Sequence, residues 1–197
     1  MMPTRLLRVA LVALGVTAVA CGDPTLAKAT YASGLASSSV YALTGAQASA
    51  PTALSFLMGV RHANASFDFD VAFDLDASNR PVVLPVRVVA GALAGIRKRV
   101  GLQAVTGSFE SVREVPATGY DTLTARTLVP GAVLAVELQD GSACRSSFNL
   151  TILTSQLIYA KLVVDSIDVP TRRIFLRAVV DPNCGYRQVV ADSVPTH

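Results

Sequence analysis

The clearest periodicity in the chain runs from residue 67 to 76: Phe67-Asp68-Phe69-Asp70-Val71-Ala72-Phe73-Asp74-Leu75-Asp76. Every odd position is apolar, and every even position is Asp except Ala72. A period of two belongs to a β-strand, whose successive side chains leave on opposite faces. The run predicts a strand with one face on a core and an aspartate face in water. On a helix the same residues would scatter around the circumference. Turn formers follow at Ala77-Ser78-Asn79-Arg80-Pro81. Val82 to Val89 is then β-branched and broken by Pro85. Proline has no N–H to give a ladder, which predicts an edge strand or a bulge there. Together these segments read as a β-hairpin.

A second hairpin is nearly as plain. Leu157 to Asp168 is apolar and β-rich, Val169-Pro170-Thr171-Arg172-Arg173 turns, and Ile174 to Val180 returns. It stops at Asp181-Pro182-Asn183-Cys184-Gly185. Weaker strand candidates are Ser39 to Leu43, Ala53 to Met58, Val100 to Val105, Phe109 to Val115, Thr122 to Leu128, Ala132 to Leu138 and Phe148 to Leu153. Turn pairs such as Pro130-Gly131 and Asp140-Gly141 separate them. Only Ala90 to Gly101 supports a turn of helix, weakened by its glycines. The expected fold is all-β: an antiparallel β-sandwich, or an open barrel, of roughly 8–10 strands built from hairpins, with little helix.

The N-terminus breaks this pattern. Arg5 and Arg8 precede an uncharged run from Val9 to Ala20. That run is shorter than the roughly 20 residues a spanning helix needs, and reads as the apolar region of a secretory signal peptide over residues 1–20. Its end, Ala18-Val19-Ala20-Cys21-Gly22, resembles the lipobox of bacterial lipoproteins, in which a small residue precedes a lipidated Cys. Ala18 stands where Leu is commonest in that class. The resemblance implies diacylglyceryl modification of Cys21, which becomes the mature N-terminus. Gly22 rather than Asp follows the Cys, which in that class implies the outer membrane of a two-membrane bacterium. Ala18-Val19-Ala20 also satisfies ordinary signal cleavage at the same bond, so a soluble periplasmic or secreted protein is the alternative. Residues 21–37, rich in Ala, Ser, Thr and Gly, read as the lipidated N-terminus and a flexible tether. Residues 38–197 read as one β domain.

Cysteine arithmetic agrees. Of three Cys, lipidation accounts for Cys21 and leaves Cys144 and Cys184 to pair in an oxidising compartment. That disulfide would close a loop of roughly 40 residues, a stabilisation on the order of 4 kcal/mol.

Composition narrows function without assigning it. The chain has 197 residues, 51% hydrophobic and 16% charged, with no Trp. The formal charge is +3, and the two signal arginines account for most of it. A nucleic-acid partner therefore has little support. His62 and His197 are the only histidines. No G-x-S-x-G, H-E-x-x-H, Walker or G-x-G-x-x-G signature occurs.

The leading expectation is a non-enzymatic, lipid-anchored binding or structural module of the cell envelope. It needs no cofactor, and its partner is an unknown envelope protein or glycan. A hydrolase using Asp68, Asp70, Asp74 or His62 is one alternative. The other is a calcium-stabilised adhesion-like module. Asp74-x-Asp76-x-Ser78-Asn79 resembles the opening of a calcium loop, but it lacks the Gly and the twelfth-position acid, where Pro85 stands.

Overall fold

A computed structural model of the chain describes residues 26–91, 96–139 and 157–196. Among these residues there are ten strands and one short helix. They are β1 (Gly34–Tyr41), β2 (Ala53–Ser55), β3 (Gly59–Arg61), β4 (Val71–Leu75), β5 (Pro81–Pro85), α1 (Val86–Ala90), β6 (Arg99–Val105), β7 (Arg126–Thr127), β8 (Val133–Gln139), β9 (Leu157–Asp168) and β10 (Arg173–Asp181). They form two five-stranded antiparallel sheets, ordered β1-β10-β9-β8-β6 and β3-β2-β4-β5-β7. The fold is an all-β sandwich, not an open barrel. Both expected hairpins are present: β4 pairs with β5 across the 77–80 turn, and β9 with β10 across the 169–172 turn.

The main core lies between the sheets. Ile158, Ala160, Leu162 and Val164 of β9 face Leu54, Val71, Phe73 and Val83 of the smaller sheet. The alternate residues of β9, Tyr159 and Val163, belong to a second core on the outer face of the larger sheet. Phe109, Val112, Val115 and Val189 complete it. The central strands are therefore covered on both faces, which is why Leu157 to Val164 is a nearly continuous apolar run. β9 carries one extra residue opposite the Phe175/Leu176 step, a β-bulge.

Several expectations are corrected. Phe109 to Val115 is not a strand. Its buried residues are three apart, the spacing of a turn of helix, and Ser108 and Ser111 exchange N–H to hydroxyl bonds at 2.8 and 3.2 Å. Thr122 to Leu128 is strand only at Arg126–Thr127, and Ala53 to Met58 only at Ala53–Ser55. Helix forms at Val86–Ala90, ending at Gly91 with φ 61°, earlier than the glycine-weakened segment from Ala90. Pro85 sits in an interior strand, at its last position. The bonding to β4 carries past it, Val86 N donating to Asp70 O at 3.0 Å, and the chain turns directly into α1.

The first strand begins at Gly34, inside the segment read as tether, and displaces the candidate at Ser39 to Leu43. Residues 27–33 are not loose either. Ala29 N donates to Tyr186 Oη, and Ser33 N donates to Ser193 O. The signal peptide, Cys21, Cys144 and the candidate strand Phe148 to Leu153 lie outside the described residues.

Candidate functional site

At one end of the sandwich the loop 42–50, between β1 and β2, arches over the turn 169–172 between β9 and β10. The space beneath it is a 380 Å³ cleft lined by Tyr41, Gln47, Ser49, Thr171 and Arg172, with small Ala and Gly residues between them. The loop crosses from the larger sheet to the smaller one. Ala42 N donates to Arg172 O, and Leu43 N donates to Phe73 O. Gly45 takes φ 79° at the loop's bend.

Asp74 ties this end together. Its carboxylate accepts Thr44 N at 3.3 Å, Thr44 Oγ1 at 2.7 Å and an Arg172 N–H at 3.2 Å. Arg172 Nε donates to Thr44 O at 2.9 Å. Arg172 has φ 53°, an uncommon backbone conformation for a residue with a side chain. Guanidinium carries five N–H donors, so the contacts to Thr44 and Asp74 leave others for a ligand in the cleft. His62 holds the same loop from behind, its Nδ1 donating to Ala50 O at 3.0 Å. Tyr41 forms one wall, with the Arg173 guanidinium 5.9 Å from its ring centre.

The aspartate row does not form a single face. Asp68 is exposed. Asp70 is buried, accepting Phe56 N at 2.6 Å and pairing with Lys98 Nζ at 2.6 Å. The uniformly solvated face that the alternation predicts is therefore absent, and Ala72 is fully buried as well. Asp76 organises the 77–80 turn, accepting Ser78 N and Arg80 N and pairing with Arg80 Nε at 2.8 Å. The backbone N–H of Arg80 is the main reason its carboxyl lies below the usual range.

Asp74 and Asp76 thus turn to different protein donors, Ser78 N being one of those on Asp76, and no group of three or more His, Cys, Asp or Glu converges as a metal site among the described residues. Among the same residues no hydrogen bond joins His62 to any of these aspartates. Asp74 and His62 share a loop, but as supports beneath and behind it.

Sequence reasoning missed Arg172 and Tyr41. The available signal was a turn, Val169-Pro170-Thr171-Arg172-Arg173, that places two cations where Asn or Gly is usual. It also missed Lys161, buried in the second core. Lys161 Nζ donates to Phe109 O and Val112 O at 2.5 and 2.8 Å, over the Phe109 ring. Burial pulls its pKa below the ordinary lysine value. No helix among the described residues is long and apolar enough to cross a membrane. No protein family, no curated protein and no solved structure matches this chain.

Proposed function

We propose that the chain is an exported, lipid-anchored module of the bacterial outer envelope that works by binding rather than catalysis, with the 42–50 cleft as its ligand site. The observation that carries the reading is the position of the two ends. The chain enters through residues 27–33, bonded to the C-terminal segment at the start of β1. The cleft lies at the finish of β1. A lipid on Cys21 would therefore leave the cleft unobstructed. The cleft walls offer hydroxyl, amide and guanidinium groups beside one aromatic ring, a set suited to a small polar ligand such as the end of an envelope glycan. Of the groups a hydrolase would need, Asp74 and His62 are engaged in holding the loop, Asp70 is buried against Lys98, and Asp68 stands apart on the surface.

The Cys144–Cys184 disulfide belongs to the same proposal. Gln139, the last residue of β8, pairs with Leu157, whose carbonyl accepts Gly185 N at 2.8 Å. Cys184 is buried next to that point. Cys144 follows Gln139 by a few residues, each extending the chain by at most about 3.6 Å. The bond would pin the end of the second hairpin close to the N-terminal entry.

Intact mass of the protein isolated from bacterial membranes, with and without reductant, tests the anchor and the bond together. Acylation of Cys21 and a two-hydrogen gain on reduction are expected. An unmodified Cys21 with the protein only in the soluble fraction would overturn the anchored reading. For the cleft, amide chemical shifts are followed during titration with soluble peptidoglycan fragments. Shifts confined to residues 42–50 and 169–172, and lost in Arg172→Gln, are expected. Shifts elsewhere, or none, would remove the cleft as a glycan site.

A further inference from the structure

A tight turn between strands usually carries Asn, Asp, Gly or Ser at its tip. The turn from β2 to β3 instead reads Phe56-Leu57-Met58-Gly59. Met58 N donates to Ser55 O at 3.3 Å, and Gly59 takes φ 82°. Phe56 is buried, but Leu57 is 36% exposed, Met58 68% and Val60 38%. Three exposed apolar side chains within one short hairpin form a patch of the kind that meets a partner.

The tip adjoins the basic run Arg97-Lys98-Arg99. The Asp70 carboxylate accepts Phe56 N and pairs with Lys98 Nζ, so one buried group joins the hairpin to that run. Lys98 is engaged by this pair. Arg97 and Arg99 are exposed, and no acid among the described residues pairs with either. The hairpin belongs to the smaller sheet and Arg99 opens β6 of the larger one, so apolar and cationic groups lie side by side across the end of the sandwich.

This is also the end at which the chain enters. Arg99 lies level with Gln139 and Leu157 in the ladder. Leu157 O accepts Gly185 N, and the neighbouring Tyr186 Oη donates to Ala27 O and accepts Ala29 N. The 42–50 cleft lies at the other end. Six residues lead from Cys21 to Ala27, a reach of at most about 22 Å.

We infer that this end of the sandwich rests on an anionic phospholipid surface, with Leu57 and Met58 entering the headgroup boundary and Arg97 and Arg99 against the lipid phosphates. The inference deepens the anchored reading and rests on it for strength. Two cations and two apolar side chains bind weakly alone, and a lipid on Cys21 holds them at high local concentration. Three features favour a membrane over a protein partner. The patch spans the ends of both sheets, as contact with a plane requires. It sets apolar groups beside cations, the pairing that a headgroup boundary offers. The short lead from Cys21 keeps this end, and not the cleft, near the bilayer. Asp68 is the exposed acid of the adjoining segment, and the two arginines outnumber it. Docking fixes the cleft facing away from the membrane, where a tether alone would let it turn either way.

The chain has no Trp, so Met58→Trp is a sole reporter at the tip. Val169→Trp, at a position 42% exposed in the turn beside the cleft, reports on the opposite end. Each is prepared as the acylated chain from bacterial membranes and as a Cys21→Ser chain, and mixed with vesicles of phosphatidylglycerol and phosphatidylethanolamine carrying brominated acyl chains. Met58→Trp fluorescence should be quenched and shifted to the blue in both forms, at lower lipid concentration in the acylated one, and Val169→Trp should be unaffected. Arg97→Glu with Arg99→Glu should raise the lipid needed for half-maximal quenching of the Cys21→Ser form at least about ten-fold. Its melting temperature should not change, because both arginines are exposed. Phosphatidylcholine vesicles should weaken quenching in the same way.

An unquenched tip in both forms, equal quenching of the two reporters, or quenching that the double variant leaves intact would overturn the inference. Intact mass of the membrane-derived sample reads the anchor separately. An unacylated chain whose tip is still quenched would remove the anchor and keep the docking surface. An acylated chain whose tip stays unquenched would remove the docking surface and keep the anchor.

Discussion

Asp68, Asp70, Asp74 and Asp76 hold equivalent places in the sequence pattern, yet their carboxylates have four different environments. Asp70 is buried against Lys98 and a backbone N–H. Removing it strands a mostly buried ammonium, so Asp70→Ala should cost about 3–5 kcal/mol. Asp74 is half-buried and joins the two sheets through Thr44 and Arg172. Asp74→Ala should cost about 1–3 kcal/mol, and loop 42–50 should become the first site of proteolytic cleavage. Asp76→Ala should lower stability less, through the 77–80 turn, and Asp68→Ala should leave it unchanged. Denaturant unfolding of the four variants checks the order. Equal losses would mean that the carboxylates act through overall charge and not through the partners described. Nothing in a strict alternation sets Asp70 and Asp74 apart, because their partners come from positions 44, 56, 98 and 172, remote in sequence.

At the scale of elements, β9 and β10 were legible almost to their ends, since each is a long β-branched run closed by turn residues. β4 was legible for its apolar face only. Its other face is covered at Asp70 and Ala72 by neighbouring segments that no local pattern announces. The segment 108–115 was misread as a strand because its apolar content was counted without its spacing of three. That segment plugs the second core, and Phe109 is its anchor, packed under the cations of Lys161 and Arg177.

Phe109→Ala should cost about 3 kcal/mol or more. The second core is small, so the loss should fall first on its own amides. Hydrogen exchange should show residues 108–116 and 187–189 losing protection while β4 and β5 keep theirs. A uniform loss across both sheets would mean that the plug and the sandwich form one cooperative unit. On β6, Gly101 has Tyr120 against it: an added Cβ would lie 2.6 Å from Tyr120 Cβ. Gly101→Ala should therefore displace the 119–122 loop, cost about 1–3 kcal/mol, and open the Leu102–Asp121 edge to exchange.

Across the whole molecule, the two chain ends are joined through Asn183. Its side chain accepts Thr30 N and Tyr31 N, and donates to Tyr31 O and to Asp181 Oδ1. Asp181 is fully buried, and its Oδ2 has no partner among the described residues. Burial pushes its carboxyl up to about 6, against which the Asn183 hydrogen bonds act. A carboxyl raised in the folded state binds its proton more tightly there than in the unfolded chain. Its contribution to stability is then complete below the unfolded value near 3.8 and is lost as pH rises through about 6. The N-terminal junction should therefore be firmest in acid and weakest at neutral pH.

Asp181→Asn keeps an oxygen for Asn183 and removes the titration. The melting temperature of this variant, relative to the parent, should climb as pH rises from 3.8 to 6 and level off above. A difference that stays flat would show that Asp181 titrates alike in both states. Asn183→Ala removes all four bonds and should free residues 26–33 for proteolysis ahead of Gly34 at every pH, while leaving the cleft at the opposite end unaffected.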